Sequence, residues 1–109
     1  GNKLYLISVE NNLEERVNKA FYGQFPTTVI YFIWTAIPYR MEWAYGYTAT
    51  RKIAIDMGYV SQNLYIASES IEWGTCAIGH FNQDELNNIV GADGDDEITL
   101  LCQTVGKPK

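Results

Sequence analysis

The sequence has one histidine, two cysteines and three prolines in 109 residues. A metal site wants three or four Cys, His or carboxylate ligands, and one imidazole and two thiols with no CxxC spacing do not suggest one, so structural zinc is not expected. Two isolated cysteines do not make a disulfide scaffold either, and the expected compartment is a reducing cytoplasm. Basic residues are scarce: eight Lys and Arg against thirteen Asp and Glu leave a net charge of -5. No basic cluster marks one face, which argues against a polyphosphate partner such as nucleic acid. The longest apolar run, residues 29–39, is interrupted by Thr35 and Pro38 and falls well short of the roughly 20 residues of a spanning helix. Neither a membrane anchor nor a signal peptide is expected. Neither a P-loop nor a GxGxxG fingerprint is present; "GTCAIG", residues 74–79, has two outer glycines without that spacing.

What the sequence does hold is apolar surface. Hydrophobic residues make up 47% and charged residues 19%, a balance that can bury enough surface to offset the entropy of ordering the chain. A single globular domain over residues 1–109 is the expectation. Because the chain begins with Gly rather than Met, we expect a portion of a longer domain.

Periodicity then divides the chain. Residues 3–8, "KLYLIS", read as a short strand. Residues 11–23 read as a helix with Leu13, Val17, Ala20 and Phe21 on one face, an Asn N-cap followed three residues later by Glu, and Gly23 as the stop. Residues 27–35 are β-branched and aromatic on both alternating faces, which predicts a central strand covered on both sides. Residues 36–47, aromatic and punctuated by Pro and Gly, suggest an irregular connection or a short helix. In residues 50–73, Ile53, Met57, Val60, Leu64, Ala67 and Ile71 recur at steps of three and four, the strongest helical signal in the chain. The small residues Gly58, Ser61, Ala67 and Ser68 would let another helix approach closely. Gly74 ends that helix, residues 75–78 have room for a very short strand, and a new helix starts after Phe81. Its start signal is complete: Asn82 as cap, Glu85 closing a capping box, Phe81 and Leu86 as a hydrophobic staple. Gly91 ends it, "GADGDDE" is a turn, and residues 98–106 form a last strand. The pattern is α+β, helices on a small sheet.

Cys76 and His80 are the obvious reactive pair. Four residues apart in an extended segment, they lie roughly 12 Å apart, beyond the reach of a thiol and imidazole dyad. The expectation is a buried inert Cys76, a surface or cleft His80, and Cys102 in the core. Glu14, Glu15, Glu69 and Glu72 read as exposed helix faces, not acid and base pairs.

One resemblance carries the reading further. Asp56, Gly58, Gln62, Asn63 and Leu64, then Gly74, Ile78, Gly79 and Phe81, then Val105 and Gly106 match in order and spacing the C-terminal half of the nitroreductase family. Tyr45, Gly46 and Arg51 are similar to the SagB-type dehydrogenase branch, which extends the resemblance over nearly the whole chain. It implies a nitroreductase-like α+β fold, a small mostly antiparallel sheet flanked by helices with a long central helix. It implies FMN held at a homodimer interface, with hydride passing from NAD(P)H through the flavin to an organic acceptor. The cofactor supplies the reactivity and the protein supplies position, so no catalytic side chain is needed.

By position, the backbone of Ala77, Ile78, Gly79 and His80 would lie against the flavin ring. Arg51, Lys107 and Lys109 are the candidate contacts for its phosphate. The alternatives are a Gly79 that only shapes a turn and an Arg51 and lysines that are only solvated. The family's Arg/Ser-rich phosphate segment belongs to an N-terminal half that this sequence does not contain, and Thr48 and Tyr59 stand where the SagB-type branch commonly has Arg and His. A cofactor-free binding or structural module is therefore the alternative function, and an unrelated monomeric α+β domain a third. Nitroaromatics, quinones, enones and peptide azolines all suit such folds as acceptors; the aromatic segment at residues 39–47 is where selectivity would lie.

Overall fold

The computed structural model describes residues 3–6, 9–24 and 30–108. Its elements are α1 (Leu13–Ala20), β1 (Ile30–Ala36), α2 (Tyr39–Tyr45), a 3-10 turn (Gly46–Thr48), α3 (Ala49–Ser70), β2 (Gly74–Ile78), α4 (Gln83–Val90) and β3 (Ile98–Gly106). The strands form one antiparallel sheet in the order β1, β3, β2. A register shift between Trp34 and Thr35 sets Leu100 as the extra residue of β3.

β3 is the central strand, and the side chains at its two faces show why the sheet is covered twice. Cys102, fully buried, joins Val17, Ala20, Phe21, Ile78 and Leu86 in the core beneath α1 and α4. Phe21 stacks on Tyr31 at 5.6 Å and meets Phe81 edge-on at 6.0 Å. Gln103, the next residue, faces the other way, toward α3: Trp34 Nε1 donates to its Oε1 (2.9 Å) and its Nε2 donates to the Ser61 carbonyl (3.2 Å). A buried amide would cost several kcal/mol unpaired; here both ends are paired, linking β1, β3 and α3.

Three expectations need correction. β1 is an edge strand, not the central one; apolar residues on both alternating faces report two covered faces and say nothing about lateral neighbours. Residues 3–6 carry no strand, and Leu4, Tyr5 and Leu6 are exposed; residues 7 and 8 of that expected strand lie outside the described residues, as do 27–29 of the next. The stops of α1 and α3 are not the glycines. Tyr22 (φ 55°) and Glu72 (φ 59°) hold the left-handed position, one residue before Gly23 and two before Gly74. In each case the paired bonds of a Schellman turn close the helix: Gly23 N–H to Asn18 O and Tyr22 N–H to Lys19 O, then Trp73 N–H to Ser68 O and Glu72 N–H to Glu69 O.

The capping of α4 is half of what its sequence suggests. Asn82 Oδ1 accepts from the Glu85 N–H (3.1 Å), but the Asn82 N–H donates to the Ala20 carbonyl (2.8 Å), so Glu85 does not reach back to it. That bond fixes the start of α4 to the end of α1. Gly91 (φ 79°) closes α4, as expected. Among the described residues, no helix is long and apolar enough to cross a membrane.

Candidate cofactor site

The strip from Ala77 to His80 leaves β2 at the sheet edge and enters α4. Ile78 anchors it, 4% exposed in the core and paired with Cys102 across to β3. Its other end is tied to α1: Gln24 Nε2 donates to the His80 carbonyl (3.4 Å), and the His80 ring lies 5.0 Å from that of Tyr22. The left-handed backbone of Tyr22 is strained for a residue with a Cβ, and it sets this ring against the strip.

Alternation decides where the strip's donors point. The Ala77 N–H donates outward, to the Tyr65 hydroxyl on α3 (2.9 Å), so the Ile78 N–H faces β3; β2 ends at Ile78, and the Gly79 N–H lies just beyond it. Among the described residues, neither the Gly79 nor the His80 N–H has an acceptor. Gly79 itself is exposed, its φ is not in the left-handed region, and a Cβ built on it meets nothing within 4 Å among the described residues. Neither its φ nor packing among the described residues demands glycine there. The strip thus presents two N–H groups without an acceptor among the described residues beside a bare main chain, an arrangement suited to a flat ligand with hydrogen-bond acceptors at its edge.

The cationic candidates lie elsewhere. Lys107 is exposed and follows Gly106, which pairs with Gly74; it therefore sits at the start of β2, roughly 14 Å along the strand from Ile78. Arg51 is exposed in the first turn of α3, about 21 Å along the helix from Tyr65. Lys109 lies outside the described residues. One chain therefore gathers Ala77, Ile78, Gly79 and His80, sets Lys107 at the opposite end of the same strand, and keeps Arg51 apart.

The thiols reverse one expectation. Cys76 is exposed on the edge strand although it shares the sheet face of Ile78, two residues on; Cys102 is the buried one, and burial pushes its thiol up to about 12. Among the described residues, no group of three His, Cys, Asp or Glu could hold a metal. Tyr65, Tyr22 and Gln24 went unread in the sequence because each acts on the strip from another element.

A small antiparallel sheet with a long helix on one face, two short helices on the other and a donor-lined strip at its edge defines an α+β protein of the nitroreductase-like fold. The chain belongs to the nitroreductase family, whose model matches residues 3–107. Among solved structures, it is similar to a protein of Anabaena variabilis described as a nitroreductase, with a TM-score of 0.82 and 23% identity, over 89% of this chain and 20% of that one. The Escherichia coli microcin synthetase complex McbBCD, solved with truncated pro-MccB17 bound, gives 0.80 and 13%, over 87% and 37%. A Staphylococcus epidermidis protein described as an NAD(P)H:FMN oxidoreductase gives 0.61 and 16%, over 90% and 62%. This chain thus spans less than two thirds of each of these structures. No curated protein matches it significantly.

Proposed function

We propose that this chain is the flavin-proximal, C-terminal part of an FMN-dependent oxidoreductase of the SagB-type branch, working as a homodimer in the cytoplasm. The observation that carries the reading is Gly79: a glycine that neither its φ nor the described residues around it require, next to two N–H groups with no acceptor among the described residues. The flavin would supply hydride transfer between NAD(P)H and an organic acceptor. The residues here would bind and orient it. Gly79 and His80 would donate to acceptors on the edge of the ring, Ile78 would hold the strip level from the core, and Lys107 would meet the phosphate at the other end of β2. An FMN molecule is elongated, with a planar ring at one end and an anion at the other, so donors and a cation at opposite ends of one strand fit it. The McbBCD likeness supports the branch, and the aromatic residues Tyr39, Trp43 and Tyr47 beside α3 are the candidates for contacting a flat acceptor.

The distance of Arg51 from the strip favours a second reading, a cofactor-free module that keeps only the fold. Titration with FMN separates the two. The chain is expected to quench flavin fluorescence saturably, and Gly79→Trp to abolish the quenching while circular dichroism stays that of the wild type. Absence of quenching by the wild-type chain would leave the cofactor-free module; equal affinity in the Trp variant would reduce the strip to a turn.

A further inference from the structure

Of the strip's outward donors, one is already spoken for. The Ala77 N–H donates to the Tyr65 hydroxyl at 2.9 Å, although the contact lies at an exposed edge where water would serve equally well. Tyr65 is itself 37% exposed, and among the described residues its own O–H proton goes to no acceptor. A hydroxyl that accepts a hydrogen bond is polarised and becomes a better donor through its own proton. Beside it on α3 lies an open depression of about 490 Å³, lined by Gln62, Tyr65, Ile66, Glu69 and Ser70. Just beyond β2, the next donor without an acceptor among the described residues is the Gly79 N–H, two residues on and at most about 7 Å along the chain.

We propose that Tyr65 replaces the Ala77 N–H as a cofactor donor: it takes the amide proton on one side and offers its own hydroxyl proton to an acceptor on the ring. This rests on the flavin reading above and adds a side chain to a site otherwise made of backbone. It also predicts a sign. If Tyr65 only blocked the Ala77 N–H, removing the hydroxyl would free a donor and tighten flavin binding; as a relay, its removal weakens binding.

The test uses the full chain, FMN as the probe, and two variants. Tyr65→Phe removes one oxygen from a partly exposed side chain, and Ala77→Pro removes the amide proton on an outward-facing edge position, where proline is tolerated. Without FMN, Tyr65→Phe is expected to speed exchange of the Ala77 amide at least tenfold, with the Ile78 amide unchanged. With FMN, it is expected to weaken binding about tenfold, the worth of one hydrogen bond, while Ala77→Pro weakens it by about threefold or less. Unchanged or tighter binding in Tyr65→Phe, or a larger loss in Ala77→Pro, overturns the proposal while leaving the flavin reading in place. A wild-type chain that binds no FMN overturns both.

Discussion

Cys102 and Cys76 differ in everything except their chemistry. Cys102 lies in the core on the central strand and its thiol is held near 12 by desolvation, whereas Cys76 is exposed on an edge strand. A disulfide reagent added to the native protein should therefore titrate one thiol per chain quickly and the second only on unfolding; two fast thiols would place Cys102 outside the core. The same burial sets an alkaline limit. The folded thiol stays protonated well above its ordinary value of 9.0, while the unfolded thiol ionises there, so stability is full below about pH 9 and falls as the pH rises toward 12. Tyr31, raised by burial and then by Cys102 and Glu14, acts in the same direction. Denaturant midpoints at pH 8 and pH 10.5 should show the loss, and Cys102→Ala should flatten the slope. Gly79 offers a test with two opposite readouts. At a backbone conformation open to any residue and with free space around its Cβ, Gly79→Ala should gain about 0.4–1 kcal/mol of stability by restricting the unfolded chain. Its FMN affinity should fall, since the methyl group projects where the ring would approach. A variant that loses stability would mean that the fold itself needs this glycine.

Helix ends are where residue chemistry becomes an element, and here the sequence was legible in one place and misleading in two. Asn82 with its side chain and Gly91 with its left-handed backbone bracket α4 as expected, and the last strand coincides with residues 98–106. The long helix was legible too, because six apolar residues at steps of three and four admit no other regular structure. Its end was not: glycine is the usual left-handed terminator, and nothing in the order of residues shows that Glu72 takes that position instead. Glu72→Gly should therefore remove the Cβ penalty and raise stability by up to about 1 kcal/mol, read as a higher melting temperature. Tyr22 has the same strain but a different use, since its ring lies on His80. Of the candidate site, the strip was legible as a glycine-bearing turn before a capped helix. The supports from Tyr65, Tyr22 and Gln24 were not, because contacts between residues 12, 58 and 56 apart leave no periodicity to read. Capping separates the two halves of the box as well. Asn82→Ala should cost about 1 kcal/mol, whereas Glu85→Gln should cost little, as the Asn82 N–H already has Ala20.

At the scale of the whole molecule, α3 is the longest element and is left largely exposed. Of its 22 residues only Ala49, Ser61 and Ser68 are buried, while Ile55, Tyr59 and Ile66 form an apolar stripe at 43%, 70% and 60% exposure. A stripe of that kind on a helix that packs its other face on the sheet is the surface the proposed homodimer would bury, each large side chain contributing roughly 1.5–3 kcal/mol. Ile66 also lines the depression beside Tyr65, so the same association that covers Ile66 would wall in the hydroxyl that we assign to the cofactor. The two equilibria are then linked, and linkage is reciprocal: FMN must tighten the dimer by the factor by which dimerisation tightens FMN. The wild-type chain should accordingly scatter light as a dimer whose dissociation shifts to lower concentration when FMN is added. Ile66→Glu, exposed enough in the single chain to leave its fold intact, should scatter as a monomer and bind FMN more weakly than the wild type. If that monomer holds FMN as tightly as the dimer does, the depression beside Tyr65 is not closed by the second copy, and α3 carries the cofactor without the interface.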